Sequence, residues 1–298
     1  MNAQDATNEA PLIPSEHVEE LVQAIKDATL TPTFTLKIDP AGTPTLTSTK
    51  LGGIPYWPIH GSDAYPTTSK GQKLMLLAQL WLEDFDGCDR LPDHGLLQFF
   101  VDSDDDCSGM DFDDGTNQNG FRVVWHEEID LQITAEDVRA LDIPTSFDSW
   151  DDCLGNPLRG EYALSINNTQ TFMNPSDESF SEVFLTCCKK LWGDTYVQGR
   201  DDWYDCVARP EADRIYELLF TKGPLHQVLG YPYFTQYDPR YKESLKDCDT
   251  LLLQVDSDSG PEGDRILWGD VGIGGFFINS DALRRGDFSR VLFNWDCY

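Results

Sequence analysis

The chain has 298 residues, with 22 Lys+Arg against 52 Asp+Glu and a formal net charge of −30. A hydrophobic share of 40%, with eight Trp and sixteen Phe, supplies a core and excludes a wholly disordered chain. Its negative field disfavours nucleic acid and anionic membranes and favours a basic protein as partner.

Residues 1–14 are polar and read as a flexible N-terminus, without the basic start and apolar run of a signal peptide. Ser15 then opens a helix whose apolar positions Val18, Leu21, Val22, Ile25 and Ala28 follow helical spacing. Phe34, Leu36 and Ile38 alternate with polar residues and predict a half-buried strand; further strands are predicted over 74–82, 95–101 and 120–125. Thr134 with Asp137 forms a capping-box pattern that opens a short helix to Leu141. The middle reads as helical. One helix carries Phe180, Val183, Phe184, Cys187, Cys188 and Leu191 up to Gly193, and a second carries Ile215, Tyr216, Leu219 and Phe220 up to Gly223-Pro224. Strand signals return over 251–255, 275–279 and 290–295, with Ser280 capping a helical turn that Gly286 ends.

An internal repeat organises these elements. LGGIPYW (51–57), LLAQL (76–80) and GLLQFFV (95–101) recur as LGYPYF (229–234), LLLQV (251–255) and GGFFI (274–278), in the same order and at similar spacing. The fold expected is α+β: β-rich halves, internally duplicated around a pseudo-twofold, with inserted helices. After the tail, residues 15–298 then form a single duplicated domain. Its first repeat covers about 30–135, its helical insert about 136–222 and its second repeat about 223–298.

The stretches LGGIPYWP (51–58), LLAQL (76–80), LP-x-x-GLLQFF (91–100), H-x-x-LGYP (226–232), LLLQVDSD (251–258), WGDVGIGGFFI (268–278), DFSRV (287–291) and NWDCY (294–298) resemble the YwqG-like family, bacterial proteins of unknown function. The resemblance implies an α+β, internally duplicated, soluble protein and supplies no catalytic residues.

Few residues point to chemistry. Seven Asp between 102 and 114 suggest a calcium loop, but Cys107 stands where an EF-hand needs Gly, and a strand precedes the loop where a helix is required. Asp256 and Asp258 leave a strand as Asp102 and Asp104 do, and such acidic exits read first as hydrated turns. WGDVGIGG (268–275) is neither a dinucleotide fingerprint nor a phosphate loop; it reads as glycine used for close strand approach, or as a cleft edged by Trp268 and Asp270. Gln79 and Gln254 hold matching positions in the repeat, His226 lies beside its second copy, and Trp57 ends the first motif of its first copy. The candidate ligand-binding set is therefore Trp57, Gln79, His226, Gln254, Asp256, Trp268 and Asp270. No catalytic residue is assignable. The eight Cys show no zinc spacing, so no metal and no cofactor is expected, and the thiols read as reduced in a cytoplasmic setting. Three functions remain open: a non-catalytic interaction module for a basic partner, an enzyme acting on an unidentified small molecule between the repeats, and a cation-binding module.

Overall fold

A computed structural model of the chain describes residues 10–60, 64–146, 155–220 and 226–298. Most of the expected N-terminal tail and the Gly223-Pro224 helix stop lie outside them.

In chain order the elements are α1 (Ser15–Thr29), β1 (Thr31–Ile38), β2 (Lys50–Leu51), β3 (Met75–Trp81), β4 (Leu96–Val101), β5 (Phe121–His126), α2 (Ala135–Arg139) and β6 (Tyr162–Thr171). They continue with α3 (Phe180–Trp192), α4 (Arg209–Leu219), β7 (Gln227–Val228), β8 (Thr250–Asp256), β9 (Asp258–Gly260), β10 (Gly263–Ile266), β11 (Ile273–Ile278), α5 (Ser280–Arg284) and β12 (Val291–Asp296). The chain divides into two compact units. The first comprises Met1–Pro32, Gln170–Gly223 and Gly230–Tyr233; the second comprises Thr33–Thr169, Pro224–Leu229 and Phe234–Tyr298.

The first unit is helical. Val18, Leu21, Val22 and Ile25 of α1, Phe180, Phe184, Cys187 and Cys188 of α3, and Ala212, Ile215 and Leu219 of α4 are buried in one cluster, each stripe following the 3.6-residue period. Ser15 is the first helical residue of α1 rather than its cap, and its hydroxyl donates to Glu211. Gly193 ends α3 at φ 63°, a conformation that costs a residue with a side chain about 1–2 kcal/mol.

The second unit is a ten-stranded sheet in the order β12-β11-β8-β7-β1-β6-β2-β3-β4-β5, so two antiparallel meanders extend outward from β1 and β6. The sheet curls until Phe99 and Phe121 meet Phe276 at 5.0 and 6.1 Å and Phe121 meets Phe293 at 5.3 Å, making it nearly closed. The fold is thus mostly β with five α-helices among the described residues, consistent with an α+β class.

The two meanders match in detail. Lys50 on β2 faces Gln79 on β3, as Gln227 on β7 faces Gln254 on β8. Leu77, two residues before Gln79, is the extra residue of a bulge against β4; Leu252, two before Gln254, is the extra residue against β11. Each short strand ends in two left-handed residues, Gly52 and Gly53 in one case and Leu229 and Gly230 in the other. At Gly53 the reason is also spatial, since an added Cβ would lie 2.2 Å from the Glu161 carboxylate.

One central strand runs through the stretch expected to be helical. β6 carries the sequence YALSINNTQT, in which Tyr162, Leu164 and Ile166 alternate and pack against the core, while its second half, from Asn167, is polar and breaks the pattern. The box at Thr134 and Asp137 forms as expected, whereas α5 is capped by Asn279 and Ser280 begins the helix. Among the described residues no helix is long and apolar enough to cross a membrane.

Candidate functional site

The candidate residues separate into two groups, one in each meander. In the first, Gln79 is fully buried. Its Oε1 accepts from the Tyr56 N–H at 3.1 Å and from Gln98 Nε2 at 2.8 Å, and its Nε2 donates to the carbonyls of Leu46 at 2.9 Å and Ser48 at 3.0 Å. A backbone N–H can only donate and a carbonyl can only accept, so the orientation of this amide is fixed. Gln98 Nε2 also donates to the Tyr56 carbonyl at 2.8 Å, which turns its Oε1 toward His126 Nε2 at 2.9 Å and places the proton on that nitrogen. Trp57 packs edge-on against His126 at 5.0 Å and is itself buried. Both amides are saturated by protein groups. This network braces the 46–57 segment against β3 and β4, a structural role.

The second group surrounds the end of β8. Gln254 is buried on the strand, opposite Gln227 and Gly275. His226, 3% exposed, accepts the Asp256 backbone N–H at Nδ1 over 3.0 Å. In the neutral ring that acceptor role leaves the proton on Nε2. Among the described residues Nε2 has no hydrogen-bond partner, and Asp258 Oδ2 lies 4.0 Å from it. That same oxygen is held by Arg265 Nη2 at 2.8 Å. Burial pushes the Asp258 carboxyl up, but His226 and the Arg265 guanidinium outweigh it and leave the group below the ordinary carboxylate range.

Trp268 joins these residues through Ser257, whose hydroxyl accepts the Trp268 backbone N–H at 3.0 Å and donates to the Gly272 carbonyl at 2.7 Å. The indole lies over Gly274, where a Cβ would come within 2.5 Å of the ring, so this glycine makes room for Trp268. Two further buried nitrogens in this region also lack partners: Arg265 Nε and Trp268 Nε1. Asp270 is apart from them. It is exposed, and its carbonyl accepts from the Tyr298 N–H at 3.3 Å. The arginines near the glycine run serve elsewhere: Arg284 pairs with Asp281, and Arg290 with Asp247 at 2.6 Å.

Lys50 was not among the candidates, although it is 1% exposed and ion-paired with Glu161 at 2.6 Å. Burial pushes its ammonium down from the usual lysine value, partly offset by Glu161. Its Nζ also donates to the Ile54 carbonyl at 2.7 Å, fixing the turn that follows β2. Neither Lys50 nor Arg265 carries a motif; only the alternation of a short strand and the P-E-G turn of the β9–β10 hairpin signal their positions.

The acidic loop following β4 is ordered by its own carboxylates. Asp102 Oδ1 accepts from Asp104 N, Asp105 Oδ2 from Cys107 N and Gly109 N, and Asp111 Oδ1 from Asp113 N and Asp114 N. These are side-chain-closed turns of the kind Asp favours. The Asn117 amide and the loop backbone hold the Asp111 carboxyl below its usual range. Among the described residues no three His, Cys, Asp or Glu side chains gather in a way that could hold a metal ion. Between Asp111 and Asp113, Phe112 is 70% exposed. It borders a cleft of about 280 Å³ that Tyr237, Lys242, Leu292 and Trp295 also line. Tyr237 is 62% exposed.

A model of the family described as Domain of unknown function (DUF1963) matches residues 49–297. No curated protein matches the chain.

Proposed function

The chain belongs to the DUF1963 family of unknown function, and from that premise we propose that it is a non-catalytic binding module for a basic protein partner, docking at the acidic loop and the adjoining cleft. The observation that carries this reading is Phe112, an aromatic side chain 70% exposed within a loop of seven Asp. A large exposed aromatic is costly to leave in water and is a frequent interface anchor. Ionised carboxylates on either side select a partner that brings positive charge with its apolar group and speed its approach. The net charge of −30 extends that selection over the whole molecule.

The test is calorimetric titration of the full chain with a Lys/Arg-rich peptide bearing one Phe. Expected is saturable binding at low salt that weakens about tenfold or more at about 1 M salt, where the Debye length is ~3 Å, and that is lost in Phe112→Ala. Absence of binding at low salt, or equal binding by Phe112→Ala, contradicts the reading.

Three finer readings belong to the same proposal. The matching bulges at Leu77 and Leu252, and the matching Gln79 and Gln254 positions, support an internal duplication around a pseudo-twofold. The motif series along 51–298 supports the YwqG-like branch of bacterial proteins, and the reduced-thiol composition supports a cytoplasmic setting. An enzyme acting on a small molecule is the second reading, favoured by the partnerless nitrogens of His226, Arg265 and Trp268. Substitution of His226 or Asp256 without effect in a substrate screen would remove it.

A further inference from the structure

β5 is the last strand in the sheet order, and its residues line an open groove of about 810 Å³. The chain itself caps the outer edge of this strand. Gln118 Oε1 accepts the Val123 N–H at 3.1 Å, and Gln118 Nε2 donates to the Phe288 carbonyl at 2.8 Å, so one amide bridges β5 to the segment before β12. That bridge occupies the position a further strand would pair with, which leaves the groove to a ligand held by side chains. Its volume is within the ~300–1,000 Å³ of small-molecule sites.

The lining differs from the rest of the molecule in charge. The chain carries 52 Asp+Glu, and Asp111 and Asp296 line the Phe112 cleft. Among the described residues no carboxylate lines the β5 groove, whereas Arg122 does. Arg122 is half-buried, and its Nε and Nη2 donate to the Gln118 carbonyl at 3.3 and 3.0 Å. That neutral acceptor fixes the guanidinium plane and leaves its charge in place. Asn119 adds a second donor to the lining: its Oδ1 accepts the Ser69 N–H at 2.6 Å, so its Nδ2 is the free end of an oriented amide.

Beside these donors lie fixed rings. Trp125 donates through Nε1 to the His94 carbonyl at 3.1 Å and meets Phe288 edge-on at 6.3 Å. Gly286 makes room for the indole, since a Cβ there would come within 2.5 Å of it. Trp57 and Val124 extend the apolar lining. A bare inorganic anion would leave these rings unused, and a cation would face Arg122. A ligand that joins a carboxylate to a flat apolar body uses both, through a charge-assisted pair with Arg122 and ring contact with Trp125. The negative field of the chain opposes an anion from a distance, but at about 0.15 M salt exposed charges beyond about 8 Å are largely screened.

We propose that the groove along β5 binds a small aromatic carboxylate, with Arg122 taking the carboxylate and Trp125 the ring. The groove shares no lining residue with the Phe112 cleft and does not depend on the basic-partner reading.

The experiment titrates the full chain with indole-3-acetate, with its neutral amide and with tryptamine, which keep one ring and change the charge. The Trp indole and Arg Nε–H signals are followed by NMR. Expected is a saturable shift of Trp125 Nε1 and Arg122 Nε with the carboxylate, at a Kd on the order of 1 mM for so small a ligand. The amide should bind about tenfold more weakly, as loss of a charge-assisted hydrogen bond does, and the amine should not saturate these signals. Arg122→Gln should bring the carboxylate down to the affinity of the amide without weakening the amide, and Arg122→Lys should restore part of the difference. A merely structural Arg122 would weaken both ligands alike, which overturns the proposal. No saturable shift with the carboxylate, or equal or tighter binding of the amide or the amine, overturns it as well. Should Arg122→Gln not fold, the ranking of the three ligands on the unmodified chain decides.

Discussion

The two meanders spend their buried polar groups differently. In the first, Gln79 and Gln98 form a chain of amides that ends on His126, and each amide is saturated by backbone or side-chain partners. In the second, Gln254 holds the matching strand position, but the histidine lies at the start of β7 and its Nε2 meets only a carboxylate at 4.0 Å. The same sheet geometry therefore supports a closed network at one end and an open donor set at the other. A buried polar group that is saturated stabilises the fold; one left unsatisfied costs about 1–3 kcal/mol until water or another group meets it.

The largest expected effect breaks the closed side. Gln79→Ala strands the Tyr56 N–H, one Gln98 donor and the Leu46 and Ser48 carbonyls, and should lower stability by about 3–5 kcal/mol in urea unfolding. A cost below about 1 kcal/mol would show that the network is dispensable. Next comes the turn after β2. Gly53→Ala combines φ 73° with a Cβ 2.2 Å from Glu161, whereas Gly71→Ala at φ 84° meets open space. The first should cost about 2–3 kcal/mol and the second about 1, by thermal unfolding of both. Equal losses would mean that conformation alone matters there.

A smaller effect sharpens the open side through pH. Asp258 titrates below its usual value of 3.8 in the folded chain, so its contribution is present above that pH and is lost as pH falls through the lower folded value. Asp258→Asn should therefore lower the melting temperature at pH 7, and that penalty should shrink at a pH well below 3.8. A penalty that is the same at both pH values would disconnect Asp258 from its partners. The smallest effect lies on the surface, where Phe112→Ala should leave stability within about 0.5 kcal/mol while removing binding of the basic peptide.

Much of this architecture was legible in the residues. Alternation marked β1, continuous apolar runs marked β3, β4, β8 and β11, and Gln79 and Gln254 stand in those runs opposite Lys50 and Gln227. β6 escaped although Tyr162, Leu164 and Ile166 alternate, because the pattern is short and runs into the polar stretch from Asn167 to Thr171. Of the candidate residues, Gln79 and Trp57 were found in a brace, Asp270 on the surface, and His226, Asp256 and Trp268 around one strand end. Arg265 was illegible because it acts through a hairpin that folds back on Asp258, a contact set by tertiary structure rather than by spacing.

The contrast between His126 and His226 can be read in one spectrum. Imidazole ¹⁵N–¹H correlations of the full chain report both rings under identical conditions. The account predicts protons on Nε2 of both residues, with the His126 proton shifted downfield by its bond to Gln98 and the His226 proton not. A His226 proton on Nδ1, or one as far downfield as that of His126, would contradict it.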